Sequence, residues 1–144
     1  MAKRRQQNRR ASPVVRYTVV GLGVVVLGLA LATTRKANAV QHPDPRAGVT
    51  AEQVQPGSRY GDYPRIAAVY DMAAEIPEVL DGLYCHCDCS LHSGHRSLLA
   101  CFHDDHGAGC DVCLGEAALA HQLTAEGRSL KEIRRAVDET YARR

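Results

Sequence analysis

The sequence predicts a small all-α domain that is stapled by a cysteine/histidine cluster and preceded by one N-terminal transmembrane helix. Three observations predict this arrangement. Apolar residues recur at helical spacing on both sides of residues 84–113, and no strand-like alternation occurs along the chain. All six cysteines fall between residues 84 and 113. An uncharged apolar run near the N-terminus accounts for the membrane helix.

Charge is distributed unevenly along the 144 residues, which are enough for one folded domain. Eight Lys or Arg and no Asp or Glu precede Val40, whereas ten Lys or Arg and all sixteen Asp and Glu lie after it. The C-terminal part is therefore net acidic and lacks the basic face of nucleic-acid-binding domains, so we expect no nucleic-acid partner. We assign residues 1–16 to a basic cytoplasmic N-terminus.

Residues 17–34 form an uncharged run rich in Val, Leu, Gly and Ala. Eighteen residues at the rise of an α-helix just span the hydrocarbon core of a bilayer. Six Lys or Arg precede the run and two follow it, so the positive-inside rule places the N-terminus in the cytoplasm. We therefore expect a single-pass protein of the cell membrane whose C-terminal domain is extracytoplasmic.

A cleaved signal peptide is the alternative to this signal anchor. Ala37-Asn38-Ala39 and Ala30-Leu31-Ala32 both have the small-x-small form of a cleavage site. The apolar run is long for a signal peptide, and Arg35 and Lys36 lie where a cleavage region is normally neutral, which favours the anchor.

Residues 35–61 are predicted to be a flexible linker, and residues 62–144 the extracytoplasmic domain. The linker is rich in Pro, Gly, Gln and Asp, a composition that cannot bury enough apolar surface to fold alone. His42 is isolated within it, and we predict no role for this residue.

The domain is predicted to begin with a helix near Pro64. Proline suits the first helical position, and apolar residues then recur at helical spacing as far as Ile76. Pro77 is predicted to end or kink this helix.

Helical signals return after the last cysteine. A helix is predicted from Asp111 to about Glu126, stopped by Gly127. Ser129 and Glu132 form the sequence of a capping box, which predicts a final helix running to the C-terminus.

The first group of cysteines is Cys85-x-Cys87-x-Cys89. In an extended segment alternate side chains point to the same side, so three thiols at this spacing can converge. A Cys-x-Cys pair closes poorly as a disulfide because the small ring strains the sulfur dihedral. The spacing favours a metal, or bonds from these thiols to distant cysteines.

The remaining cysteines lie in two further segments. If residues 95–103 are helical, Cys101 lies at the edge of their apolar face, where it could reach the first group. Cys110 and Cys113 open a helix, where the backbone amides and helix dipole favour thiolate over thiol. His106, beside a Gly-x-Gly turn, is the best histidine ligand candidate, and His86 is the next.

Three functions remain open from the residues alone. The first is binding of a soft or borderline metal ion, with zinc or copper(I) favoured by thiolate and imidazole ligands. The second is a structural interaction domain held by three disulfides. The third is a thiol–disulfide redox protein in which Cys110 attacks and Cys113 resolves. We expect no enzyme of the hydrolytic type, since no serine lies in a nucleophile elbow. The predicted metal ligands are Cys85, Cys87, Cys89, Cys101, Cys110, Cys113, His106 and His86.

Residues 60–144 resemble a family of exported, membrane-anchored bacterial proteins named for the motif Pro-Cys-Tyr-Cys-Gly-Cys, also called CYCXC. The resemblance rests on residues 76–80, Cys85-x-Cys87-x-Cys89, residues 95–102 and residues 106–113. Tyr84, His86 and Asp88 replace the proline, tyrosine and glycine of the motif, and no cysteine for lipid attachment follows the apolar run. The resemblance implies that the transmembrane run replaces a lipid anchor. Some relatives carry selenocysteine in the cluster, which implies chemistry rather than cross-linking there.

Overall fold

The structure, a computed structural model, describes residues 40–142, which belong to one compact unit. The transmembrane helix predicted at residues 17–34 lies outside the described residues. Within residues 40–142, none of the helices has the length and apolar character needed to cross a membrane. The described part contains helices, turns and loops but no β-strand, which confirms the all-α prediction for this part of the chain.

The first two α-helices of the described residues are α1 (Pro64–Glu75) and α2 (Pro77–Asp81), and each begins with proline. Ile76 between them has φ −130° and ψ 43°, outside the α region. A residue that precedes proline avoids the α conformation because its backbone clashes with the proline ring. The prediction at Pro77 is confirmed: this residue ends α1 and opens α2.

A short helix, α3 (Cys89–His92), precedes the two C-terminal helices. These are α4 (Asp111–Ala125) and α5 (Leu130–Tyr141). Gly127 has φ 75°, a conformation that glycine adopts without a steric penalty, and it separates the two. Between them, both hydrogen bonds of the predicted capping box are formed by Ser129 and Glu132.

The core lies between α1, α4 and the cysteine-rich segment. Helix α1 packs against α4, and α4 packs against α5. A 3₁₀ turn at Leu98–Phe102 contacts both α1 and α4 and inserts apolar side chains between them. The largest fully buried apolar side chains are Tyr70, Phe102, Leu80, Leu83, Leu98, Leu99, Ile133 and Val137.

Residues 40–61 differ from the flexible linker that the sequence predicts. They pack on the helical body, with Val49, Val54 and Tyr60 buried in the core. The backbone amide of Gln55 donates to the carbonyl of Phe102 at 2.9 Å, which holds the segment to the 3₁₀ turn. A segment of this composition cannot fold by itself, but three buried apolar side chains suffice to hold it against an existing surface.

A buried carboxylate joins this segment to the rest of the domain. Asp81 has no exposed surface, and Arg46 donates to it from its backbone amide and from its guanidinium at 2.8–3.1 Å. Arg96 and Ser97 also donate to Asp81, at 3.0 and 2.9 Å. The carboxylate therefore ties residues 46, 81 and 96–97 together just before the 3₁₀ turn at Leu98–Phe102.

Candidate metal centre

The first three cysteines converge through a turn and not through an extended segment. The backbone amide of Asp88 donates to the carbonyl of Cys85 at 3.2 Å, and Asp88 has φ 58° and ψ 29°. The hydroxyl of Tyr84 donates to the Asp88 carboxylate at 2.9 Å, and His92 contacts the carbonyl of Cys87 at 3.0 Å. Helix α3 then begins at Cys89, so the turn and the helix together bring three sulfurs to one point.

Four cysteine sulfurs form the first ligand group: Cys85, Cys87, Cys89 and Cys113, all within 4.8 Å of one another. Cys85 Sγ lies 3.4 Å from the sulfurs of Cys87 and Cys113 and 3.9 Å from that of Cys89. The Cys87–Cys89 separation is 2.8 Å and the Cys87–Cys113 separation is 3.4 Å. Four sulfurs around a tetrahedral zinc ion, at about 2.3 Å from it, are about 3.8 Å apart, so the Cys87 and Cys89 sulfurs, which are 2.8 Å apart, would have to separate by about 1 Å for the group to bind one.

The second ligand group combines two sulfurs and two imidazoles: Cys89, Cys101, His95 and His106, again within 4.8 Å of one another. The Cys89 sulfur lies 3.1 Å from His106 Nε2 and 3.7 Å from the Cys101 sulfur. His95 Nδ1 lies 3.2 Å from the Cys101 sulfur. Two thiolates and two imidazoles are a common ligand set for zinc.

Close packing positions the second group. Gly107 follows His106, and a Cβ added at Gly107 would lie 2.7 Å from the carbonyl oxygen of Cys101. On its other side, Gly107 is close to the hydroxyl of Tyr70, which accepts from the amide of Ala108 at 3.0 Å. Only glycine allows the two segments that carry His106 and Cys101 to approach this closely.

The protonation states follow from burial. Burial raises the pKa of the Cys87 and Cys89 thiols, because removal from water penalises the charged thiolate. The pKa of Cys85 is lowered, because Cys101 and Cys113 both donate to its sulfur. Burial also lowers the pKa of His95, which keeps its ring neutral and able to bind a metal.

Glu116 lies beside this centre and is not among the ligands predicted from the sequence. The residue is fully buried: its Oε1 accepts from the His86 amide at 2.9 Å, and among the described residues its Oε2 has no hydrogen-bond partner. Burial, together with the charge of the neighbouring Cys85 thiolate, raises the pKa of Glu116 to about 10. The signal in the sequence was its spacing, because Glu116 is one helical turn after Cys113 and shares its face of α4.

His86 lies outside both ligand groups. Its Nε2 is 3.0 Å from Asp138 Oδ1 on α5, and the Nε2 of His42 is 3.0 Å from the same oxygen. His42, for which no role was predicted, also accepts from the amide of Tyr84 at 3.0 Å. Burial lowers the pKa of His42, with the carboxylate of Asp138 acting in the opposite direction. These two imidazoles hold the 85–88 turn and residue 42 against α5.

Cys110 also lies outside both groups and caps helix α4. Its sulfur accepts from the backbone amide of Cys113 at 3.4 Å. The six cysteines are all free thiols, and the closest pair, at 2.8 Å, is well beyond the disulfide bond length of about 2.05 Å. The two groups thus contain Cys85, Cys87, Cys89, Cys101, Cys113 and His106 from the predicted ligands, with His95 in addition.

The family model described as "Protein of unknown function with PCYCGC motif" matches residues 24–144. The chain belongs to this family. Asp88 stands at the glycine position of the PCYCGC motif, and its positive φ explains why glycine suits that place. Aspartate is one of the few other residues that adopt this conformation routinely. Comparisons with curated proteins and with solved structures found no match.

Proposed function

We propose that this protein is a membrane-anchored, extracytoplasmic metal-binding protein that holds a soft or borderline ion, zinc or copper(I), in the cysteine/histidine centre. The observation that carries the proposal is the convergence of four cysteine sulfurs within 4.8 Å of one another. Three of them come from residues 85–89 and the fourth from helix α4. Thiolates are preferred ligands of zinc and copper(I), and a bound cation would replace the protons of the buried thiols.

Burial of the centre further supports metal binding. Cys85, Cys89, Cys101 and Cys113 are buried, with at most 4% of their surface exposed. Reactive redox cysteines are instead partly exposed and lie in electropositive surroundings. Among the described residues, no Lys or Arg side chain hydrogen-bonds a sulfur of either ligand group, so a bound cation is the natural source of positive charge.

The membrane anchor in the proposal rests on the uncharged run at residues 17–34 and its basic flanks. From this arrangement we expect the centre to lie outside the cytoplasm. The orientation can be tested with a reporter enzyme that is active only outside the cytoplasm and is fused to the C-terminus. An active fusion supports the proposal, and an inactive fusion with an active cytoplasmic reporter at the same position would overturn it.

Elemental analysis combined with thiol counting tests metal binding. The full-length chain is purified in detergent, without an affinity tag that binds metals, once under air and once without oxygen. We expect a soft or borderline metal at a defined stoichiometry, with all six thiols titratable after chelation. Metal-free anaerobic protein would overturn the proposal; three fixed disulfides would indicate the structural domain, and a reversible Cys110–Cys113 disulfide the redox protein.

A further inference from the structure

We propose that the centre holds two divalent metal ions at once and that the sulfur of Cys89 bridges them. This inference rests on the proposed function and specifies its site. One ion would be bound by Cys85, Cys87, Cys89 and Cys113, and the other by Cys89, Cys101, His95 and His106.

The number of donors is the first argument. The two groups contain seven different side chains, and Cys89 is the member that they share. A single tetrahedral ion uses four donors and would leave three more ligand atoms gathered beside it without a cation. Two four-coordinate ions that share one sulfur use all seven.

The position of Cys89 is the second argument. Its sulfur lies 2.8 Å from that of Cys87 in the first group and 3.1 Å from His106 Nε2 in the second. It is also 3.9 Å from the sulfur of Cys85 and 3.7 Å from that of Cys101. Cys89 is fully buried at the start of α3, so both sets of donors surround it and solvent does not. A thiolate sulfur has enough lone pairs to bind two cations in this position.

The negative charge of the thiolates favours two divalent ions over one divalent ion or two copper(I) ions. The two groups contain five cysteines, and each gives a thiolate when it binds a metal. Two divalent ions offset four of these five charges, whereas one divalent ion, or two copper(I) ions, would offset two. Uncompensated charge is costly in a buried site, and no Lys or Arg of the described residues hydrogen-bonds these sulfurs. A pair of zinc-class ions therefore fits this centre best.

Zinc content and cobalt substitution test the inference on the unmodified full-length protein. We expect two zinc ions per chain after anaerobic purification. Co²⁺ added to the metal-free protein should give sulfur-to-cobalt charge-transfer absorption that rises until two equivalents are bound. Since a shared thiolate couples the two ions magnetically, the electron paramagnetic resonance signal of the first Co²⁺ should weaken as the second binds.

Variants separate the two groups. The double substitution His95→Ala and His106→Ala should reduce the zinc content from two ions to one, and so should Cys113→Ser. Cys89→Ala should reduce the zinc content below one ion per chain, because both ions lose a ligand. Cys110→Ser is the matched control: its sulfur lies outside both groups, serine is a good helix cap, and the variant should keep two ions.

The outcomes distinguish the inference from the proposed function. No bound metal would overturn both. One zinc ion per chain, saturating at one equivalent of Co²⁺, would overturn the two-ion centre and leave metal binding intact. Two Co²⁺ ions with undiminished, independent resonance signals would overturn the bridge at Cys89.

Discussion

The sulfur of Cys113 on helix α4 lies 3.4 Å from that of Cys85, which precedes it by 28 residues. A metal ion bound by both would cross-link α4 to the turn at residues 85–88 and close the intervening chain into a loop. Cross-links of this length stabilise the folded state by about 3.6 kcal/mol in the chain-entropy account, mainly by restricting the unfolded chain. The centre is therefore expected to contribute to folding as well as to bind metal.

Metal removal is the first prediction. We expect a strong chelator to lower the free energy of unfolding by at least about 3 kcal/mol, because the cross-link and the charge compensation are lost together. Amide hydrogen exchange of the full chain, with and without chelator, measures the effect. Protection should fall most in residues 84–113. Protection of the wild type that does not change when the chelator is added would contradict this prediction. So would a Cys113→Ser variant that loses as much protection on chelation as the wild type does.

The local signals of the sequence predicted the helices well and the surroundings of the centre less well. Proline at residue 77 and the capping residue Ser129 act within a few positions of themselves, so their consequences can be read from the sequence. The Cys-x-Cys spacing likewise indicated convergence of the thiols. The spacing of Glu116, one helical turn after Cys113, was a usable signal. His95 reaches the centre only because the 3₁₀ turn packs against α4, and no local pattern encodes that packing.

Asp81 supports the second prediction. Asp81→Asn should lower the free energy of unfolding by about 2–3 kcal/mol, because the half-exposed Arg46 and Arg96 would lose the charged partner that they share. Chemical denaturation of the metal-loaded protein measures this. Asp111→Asn is the control: Asp111 is 87% exposed and pairs with Arg65 at 3.4 Å, so its loss should cost less than about 1 kcal/mol. Equal effects of the two substitutions would show that the buried Asp81 carboxylate does not hold residues 46, 81 and 96–97 together.

The pH dependence of the same carboxylate is the third prediction. Burial alone would raise the pKa of Asp81, but the hydrogen bonds from Arg46 and Ser97 outweigh it and lower the pKa to about 2. In the unfolded chain an aspartate has a pKa of about 3.9. The ionised Asp81 carboxylate therefore stabilises the protein fully above about pH 4, and this contribution, about 2.6 kcal/mol, is lost as the pH falls towards 2.

Comparison of the wild type with Asp81→Asn isolates this contribution from the metal ligands, which also bind protons in acid. The difference in unfolding free energy between the two proteins should be constant from pH 7 to about pH 4 and should narrow below it. A difference that stays constant down to about pH 2 would show that Asp81 is not the titrating group.

Gly107 supports the fourth prediction. Gly107→Ala should destabilise the protein by about 1–3 kcal/mol, because the new methyl group would be forced against the carbonyl of Cys101. The shift should also separate His106 from Cys101 and weaken the metal affinity of the second group. Gly109→Ala is the control, since nothing lies within 4 Å of a Cβ there. Competition with a zinc-binding dye measures the affinity of both variants, and equal losses would show that the close packing at Gly107 does not position the site.

The conformation of Asp88 gives the fifth prediction. Asp88→Gly should keep the turn, because glycine adopts the φ of 58° freely; its cost is limited to the hydrogen bond from Tyr84, about 1 kcal/mol. Asp88→Val removes the same hydrogen bond and adds a β-branched side chain to a left-handed position, which costs about 1–2 kcal/mol more. Because Cys87 and Cys89 flank this residue, the valine variant should also bind zinc more weakly than the glycine variant. Zinc competition on the two variants side by side checks the order, and a valine variant that binds as tightly as the glycine variant would show that the turn at Asp88 does not position these sulfurs.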